Sequence, residues 1–406
     1  MKFANGVCFT RHFFLFLRVM RKIIVAFDSM KGCLSSRDAS AAFAQGVRNV
    51  DSEAQVLVVP VADGGEGTAR VLAEAAGLTA PLYSSVCGPM GDEVYAEWWF
   101  DDNSRTAYID MAQASGLTLV DKSGRNPLCA TSHGFGELIA KALDRGASSI
   151  VVGLGGSATV DGGSGACQAL GVRFFDKGNT LIRSYMDGSR LSSVTDIDVS
   201  RLDSRLRDVC LTLVCDVVNR LTGVGGAAEV FAPQKGASAD DVTLLDNGLE
   251  NFRNLIFRKF GVDLNCIPGS GAAGGCAGGL MALAGGVIRE GAPLVLDALH
   301  FGSLLEGASA VVTGEGASDS QTLMGKLPCA ILRFGLKAHV PVALVAGVIK
   351  DRERLEKAGF SPVIHINSPE IIAASHTSGG IDTDAAIAAR RLQAAGKEFA
   401  RYVKFH

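Results

Sequence analysis

Lys22-Ile23-Ile24-Val25-Ala26-Phe27-Asp28-Ser29-Met30-Lys31-Gly32 is the stretch that decides the fold. An apolar run of strand length breaks at an acid, passes a lysine and a glycine, and gives way to an Ala-rich segment near Ser35. Isoleucine and valine in such a run favour a buried, pleated strand. Ser35 followed by Asp38 resembles a capping box, with Asp in the place of the preferred Glu or Gln, and so predicts a helix start. The same theme recurs at Gln55 to Val61, followed by Ala62-Asp63-Gly64-Gly65-Glu66-Gly67 and a helix that Gly77 ends. It returns at Ser309 to Thr313, Pro341 to Ala346 and Pro362 to Ile366, and a long amphipathic stretch from Ala385 to Val403 closes the pattern. Alternating strands and helices predict a parallel, doubly wound α/β sheet.

The middle of the chain is less regular. Glu93 to Phe100 alternates with period two, Thr106 to Met111, Ser149 to Leu154 and Leu211 to Asp216 read as strands, and Asp240 to Phe260 as a solvated helix. This predicts a second α/β domain, residues 81–290, inserted between the halves 20–80 and 291–406 of the first. Residues 1–19 read as an extension. Phe13-Phe14-Leu15-Phe16-Leu17 is cut short by Arg18, too short for a secretory h-region or a spanning helix, which points to Met20 as the start of translation.

Composition narrows the function. The formal net charge of the 406 residues is −3 with no long charged block, which argues against a nucleic-acid tail or a polybasic membrane anchor. Glycine is the outlier, 49 residues, where a typical chain carries roughly 7%. Those glycines gather in loops, where backbone approaches ligands closely. Ten cysteines without a Cys-x-x-Cys pair predict free thiols and a cytoplasmic protein. The seven histidines show no metal spacing. Walker A, protein-kinase and nucleophile-elbow signatures do not occur.

In open parallel sheets ligands sit beyond the carboxyl ends of the strands. Here those ends deliver Asp28 and Lys31, Asp63 and Glu66, and Glu315 and Asp319. One acidic turn is ordinary loop chemistry; three at one edge favour a cation-binding or acid–base site. After the strand Ile150-Val151-Val152 comes Gly153-Leu154-Gly155-Gly156-Ser157-Ala158-Thr159-Val160-Asp161-Gly162-Gly163, with more glycine than a tight turn needs. Freed backbone N–H groups before a helix make a phosphate cradle. Pro268-Gly269-Ser270-Gly271-Ala272-Ala273-Gly274-Gly275 contains Gly-x-Gly-x-x-Gly, but the segment before it is a poor strand, and the ribose acid would have to be Asp297 or Glu290. It reads as a phosphate loop more readily than as an NAD fingerprint. Lys31, Lys235 and Lys326 all sit where they can neutralise a phosphate oxygen.

Taken in order, Asp-Ser-x-Lys-Gly, Val-Ala-Asp-Gly-Gly-Glu-Gly-Thr, Gly-Gly-Ser-Ala-Thr-x-Asp-Gly-Gly, Cys-Asp-Val, Pro-Gln-Lys-Gly-Ala, Gly-x-Gly-Ala-Ala-Gly-Gly and Thr-Gly-Glu-Gly followed by Asp319-Ser320-Gln321 and Gly325-Lys326 resemble the bacterial-type glycerate kinase family. The resemblance runs from about Met20 to near the C-terminus. It implies a discontinuous flavodoxin- or Rossmann-like domain, an inserted domain, and an active site in the cleft between them. It also implies ATP, Mg²⁺ and D-glycerate as ligands, 2-phosphoglycerate as the usual product with 3-phosphoglycerate as the alternative, and a monomer or homodimer. Four positions depart from the family pattern: Phe27 for Pro, Val160 for Asn, Arg220 for Pro and Ala317 for Arg. The last removes a bidentate cation beside a phosphate site. Three outcomes are open: another cation substitutes, turnover is reduced, or the substrate has drifted.

Phosphoryl transfer asks mainly for positioning and charge stabilisation. Loop chemistry assigns the donor phosphates to Gly155, Gly156, Ser157 and Thr159, to Gly271, Gly274 and Gly275, and to Lys235 and Glu315. Mg²⁺ goes to Asp216 and Asp319, proton abstraction to Asp63 or Asp161. The glycerate carboxylate goes to Lys31 or Lys235. The competing expectations are an NAD-dependent oxidoreductase and a degenerate member that binds ligand with little catalysis.

Overall fold

The computed structural model describes residues 21–30, 33–377 and 384–405, so Lys31 lies outside the described residues. Thirteen strands are placed among them: β1 (Lys22–Phe27), β2 (Gln55–Val58), β3 (Leu82–Cys87), β4 (Glu93–Asp101), β5 (Thr106–Asp110), β6 (Ser149–Gly153), β7 (Arg173–Phe175), β8 (Asp196–Asp198), β9 (Cys210–Val214), β10 (Val287–Arg289), β11 (Ala308–Ser318), β12 (Val342–Ile349) and β13 (Phe360–His365).

The opening motif folds as its sequence predicts. Ile23, Val25 and Phe27 of β1 pack into one apolar cluster and Ile24 and Ala26 into another, so alternate side chains enter opposite faces of one sheet. That sheet has the order β13-β12-β11-β1-β2, with every pairing parallel. The order is the flavodoxin-like one rather than the Rossmann one. The chain leaves β1 toward β2 on one side and returns as β11 on the other, which puts the topological switch point between β1 and β11. Ser35 caps the helix Ser36–Val50 by accepting from Asp38 N, and the Asp38 carboxylate accepts from Ser35 Oγ at 2.6 Å. Phe27 lies against Phe43, which in turn meets Phe399, with ring centroids 5.3 and 5.7 Å apart. Its N–H donates to Ser40 Oγ at 3.0 Å, a bond that proline at this position would lack.

Residues 82–289 supply every strand of the second sheet, whose order is β10-β9-β6-β5-β4-β3. It is parallel from β10 to β5 and antiparallel through β4 and β3. Its core is separate, centred on Phe135, Ile150, Val152, Phe174 and Phe252. The predicted solvated helix spans Ala239–Phe260, opened by a Ser238–Asp241 capping box and closed by left-handed Gly261. The two sheets are not independent. The helix Thr68–Ala75 follows β2 of the first sheet, yet its Ala69 and Ala73 pack under Trp99 and Tyr108 of the second. At the other end, the helix Ala385–Phe405 lies on Ser36–Val50 so closely that Cβ atoms on Gly46 and Gly396 would strike the main chain of Gln393 and Phe43. No helix among the described residues is long and apolar enough to cross a membrane.

Candidate active site

Two cavities open at the carboxyl ends of the strands. The larger, 1040 Å³, draws its wall from both sheets, with Gly155, Gly156 and Ser157 beyond β6, Asp216 beyond β9, and Lys235. The smaller, 400 Å³, is lined by Glu315 and Ala317 of β11, by Lys326, and by Asn367 and Arg391. Asp28, Ser29, Cys33 and Asp63 line both, so the two spaces meet beside the switch point. Parallel pairing explains why distant acids gather here: each strand ends at the same edge, and the residue after it faces the crevice.

The Asp63–Gly67 loop joins the sheets. Gly64 O accepts from Leu154 N at 3.1 Å and from Gly155 N at 3.3 Å. Gly155 lies so close to Gly65 that any Cβ there would collide with it, which is why the cradle begins with glycine. Asp63 Oδ1 accepts from Gly65 N at 2.9 Å, which fixes the carboxylate on its own turn.

Lys235 is 3% exposed. Its Nζ donates to Ser157 Oγ at 2.9 Å and to Thr159 O at 2.7 Å, linking the ammonium to the Gly155–Ser157 segment. Burial pushes its pKa down to about 7, with Asp161 partly opposing. An ammonium so weakly held has much to gain from an incoming anion.

Asp216 Oδ1 accepts from Gly291 N at 2.6 Å and from Ala292 N at 3.2 Å, at the start of the helix Gly291–Ala298. Its Oδ2 is buried without a hydrogen-bond partner. Burial first, and the neighbouring Asp63 charge second, push its carboxyl up to about 7. An orphaned carboxylate oxygen beside another acid suits a cation. Glu315 Oε1 accepts from Thr322 Oγ1 at 2.7 Å and Ser318 Oγ at 2.9 Å, and Oε2 lies 3.8 Å from Lys326 Nζ. Burial raises its pKa, while Thr322 and Lys326 pull it down.

Several expected residues lie elsewhere. Asp161 is fully buried and lines neither cavity. It accepts from Ser132 N and Oγ at 2.9 and 2.6 Å and from Gly163 N and Gly165 N at 3.1 and 3.2 Å. It thus satisfies the N-termini of the helices His133–Asp144 and Ser164–Ala169, whose first N–H groups have no partner within their own helices. Burial raises its pKa and those bonds oppose the rise. Thr159 presents its carbonyl to Lys235 and likewise lines neither cavity. Gly271, Gly274 and Gly275 are not cavity residues either. A Cβ on Gly274, at φ +66°, would strike Thr159 O, so these glycines allow one loop to lie on another. Only Ala273 of that loop reaches the larger cavity, and a 3₁₀ turn, Leu264–Cys266, precedes it rather than a strand. The dinucleotide fingerprint therefore lacks its context. Asp319 lines neither cavity; its N–H donates to Thr322 Oγ1 at 3.0 Å and its charge acts on Glu315, while Asp63 and Glu290 act on Asp216. No group of three or more His, Cys, Asp or Glu suited to a metal occurs among the described residues. Glu315, expected at the donor, belongs to the smaller cavity.

The sequence reading also missed residues. Asp110 ends β5, lines the larger cavity, and accepts from Gly67 N at 2.8 Å and Ala69 N at 3.0 Å. Burial pushes its carboxyl up to about 7 against those two bonds. Its signal was its place at a strand end, like Asp28. Arg391 and Asn367 gave no comparable signal, since neither sits in a glycine-rich loop after a strand end.

The arrangement resembles known proteins closely. The model of the glycerate kinase family matches residues 23–402. The chain is 43% identical to the glycerate 2-kinase of Escherichia coli (strain K12) over 330 residues, covering 81% of this chain and 86% of that one. It is 42% identical to the glycerate kinase of Bacillus subtilis (strain 168) over 346 residues, 85% and 90% of the two chains. The crystal structure of a protein assigned as glycerate kinase 2 from Salmonella typhimurium LT2 superposes with a TM-score of 0.75 at 38% identity, covering 95% of this chain and 99% of that one. Sequence and overall fold agree, and the chain belongs to the glycerate kinase family.

Proposed function

We propose that the protein transfers the γ-phosphoryl group of ATP to a hydroxyl of D-glycerate, giving 2-phosphoglycerate. The observation that carries this reading is the pair of unequal cavities meeting at Asp28 and Asp63. The larger has room for a nucleoside triphosphate and the smaller for a three-carbon acid. On this reading the chain has two domains, about 20–80 with 291–406 and 81–290, and the transfer takes place in the cleft between them. Its free cysteines among the described residues fit a cytoplasmic enzyme.

The Gly155–Ser157 backbone and Lys235 bind the donor phosphates, and the neutral Lys235 amine takes up a proton to become ammonium as it does so. Asp63 accepts the proton of the attacking hydroxyl: it lines both cavities, and its carboxylate is held on its own turn. Asp161 is enclosed and cannot reach that hydroxyl. Asp216, with its orphaned Oδ2 close to Asp63, fits a Mg²⁺ ion held mainly by nucleotide phosphates, which typically needs only one or two carboxylates. When bound, that ion would supply charge neutralisation between donor oxygens. Asp319 has no part in this set.

A coupled ADP-release assay tests the reading. D-Glycerate with ATP and Mg²⁺ should release ADP far faster than ATP without acceptor, and NMR of the product should show phosphate on carbon 2. Equal release with and without D-glycerate would overturn the proposal. Tight binding of both ligands with no release would establish the degenerate alternative.

A further inference from the structure

Glu315 lies on β11 one residue beyond the end of β1, is 6% exposed, and lines the smaller cavity. Its two carboxylate oxygens have different surroundings. Oε1 accepts from Ser318 Oγ at 2.9 Å and from Thr322 Oγ1 at 2.7 Å. Ser318 and Thr322 are buried and line neither cavity, so Oε1 is turned into the protein. Oε2 lies on the side of Lys326, a wall residue of the smaller cavity, and makes no hydrogen bond among the described residues. Lys326 Nζ is 3.8 Å from it, an ion pair beyond hydrogen-bond reach. Two enclosed hydroxyls thus fix the side chain and leave one oxygen open to the cavity.

An ionised carboxylate can only accept hydrogen bonds, so whatever fills the cavity must bring a donor to Oε2. A phosphate or a second carboxylate would set like charge against it. A metal ion would face the Lys326 ammonium, and no metal-suited group of three acids, histidines or cysteines occurs among the described residues. A neutral hydroxyl meets the requirement. The position of the other acids says which hydroxyl. Asp28 and Asp63 stand where the two cavities meet, whereas Glu315 lines the smaller cavity alone. The reacting hydroxyl belongs at the meeting place, because the donor phosphates come from the larger cavity. A ligand with two hydroxyls can then send one to Asp63 and the other to Glu315.

We propose that Glu315 is a specificity-determining residue of this enzyme: Oε2 accepts the hydrogen bond of the substrate hydroxyl that is not phosphorylated, so that a vicinal dihydroxy acid is selected over a monohydroxy acid. The inference rests on the function proposed above and deepens it by assigning recognition of the second hydroxyl.

The test compares two acids on the full-length wild type, E315A and E315Q, each checked for folding by thermal unfolding. D-Lactate keeps the carboxylate and the carbon 2 hydroxyl of D-glycerate and lacks the hydroxyl of carbon 3. The wild type should favour D-glycerate over D-lactate by about 100-fold in kcat/KM, within the worth of a hydrogen bond to a charged group. E315A should lower kcat/KM for D-glycerate about 100-fold more than for D-lactate, which erases the preference. E315Q keeps the shape and loses the charge, and its preference should fall about tenfold. Equal losses on the two acids are what a merely structural role gives, and they overturn the proposal. So does a wild type that turns over both acids equally. Should E315A fail to fold, E315Q decides, and an unaltered preference in it overturns the proposal. Should the product carry its phosphate on carbon 3, the proposed position of transfer fails. 3-Hydroxypropanoate, which lacks the carbon 2 hydroxyl, then replaces D-lactate and the same comparison decides. Should the wild type release no ADP with D-glycerate, the proposed function fails and calorimetry decides the inference. A wild type that binds D-glycerate no better than D-lactate, or an E315A that keeps the wild-type preference, overturns it.

Discussion

The smaller cavity is made wholly by strand ends, loops and the last helix of the five-stranded sheet, whereas the larger one needs loops from both sheets. The difference is one of construction. A site built on one sheet can change its ligand by exchanging side chains on that sheet, with Asp63, on the loop that joins the sheets, as its link to the other. The shared site depends on the Gly64–Leu154 and Gly64–Gly155 hydrogen bonds and on glycines that permit close approach. Substitutions in the two cavities should therefore separate acceptor effects from donor effects, and residues shared by both should show neither alone.

Asp63 is the sharpest break point. D63N should lower kcat by about a thousandfold, within the range for loss of a general base, with both KM values little changed; ordinary turnover would remove Asp63 from the chemistry. The enclosed Asp161 should behave oppositely. D161A strands four hydrogen-bond donors and should cost about 3 kcal/mol in urea unfolding, while the folded fraction keeps a normal KM for D-glycerate. A stable D161A or D161N enzyme without turnover would make Asp161 the base instead.

Lys235 tests the larger cavity alone. K235M should raise KM for ATP by about a hundredfold and spare KM for D-glycerate. Because the free ammonium has a pKa pushed down to about 7, it is mostly deprotonated at pH 8, and a polyphosphate restores the proton. Calorimetry with ADP in EDTA at pH 8, in buffers of different ionisation enthalpy, should show uptake of nearly one proton by the wild type and none by K235M. A smaller effect concerns stability. The folded pKa of Asp110, pushed up to about 7 from 3.8, lies above its unfolded value. The folded state therefore holds that proton more tightly, and the contribution, full below about pH 4, is lost as pH rises through about 7. D110N should reduce the fall in unfolding free energy between pH 5 and pH 8 by about 2 kcal/mol. An unchanged slope would show that the carboxyl stays ionised throughout.

Much of this was legible in the sequence because strands, caps and turns are local. β1, the Ser35 cap, the Asp63 loop and the Ser238 helix each follow from a few adjacent residues. The gathering of Asp28, Asp63 and Glu315 followed from parallel pairing. What escaped was non-local. Gly274 and Gly275 look the same in sequence as Gly155 and Gly156, yet the former pair faces a neighbouring loop and the latter a cavity, and only packing separates them. Arg391 lies in an amphipathic helix where an arginine ordinarily faces water. Its burial depends on Thr377 and Asn367, which come from other parts of the chain. Asp110 lacked the glycine neighbours that drew attention to the other strand-end acids.

The close seat of Ala385–Phe405 on Ser36–Val50, made through Gly46 and Gly396, bears on biosynthesis. Every strand of both sheets leaves the ribosome before Arg391 does. A nascent chain thus carries every residue that lines the larger cavity by Ala273, whereas the smaller cavity lacks Ala388 and Arg391 until the last helix is made.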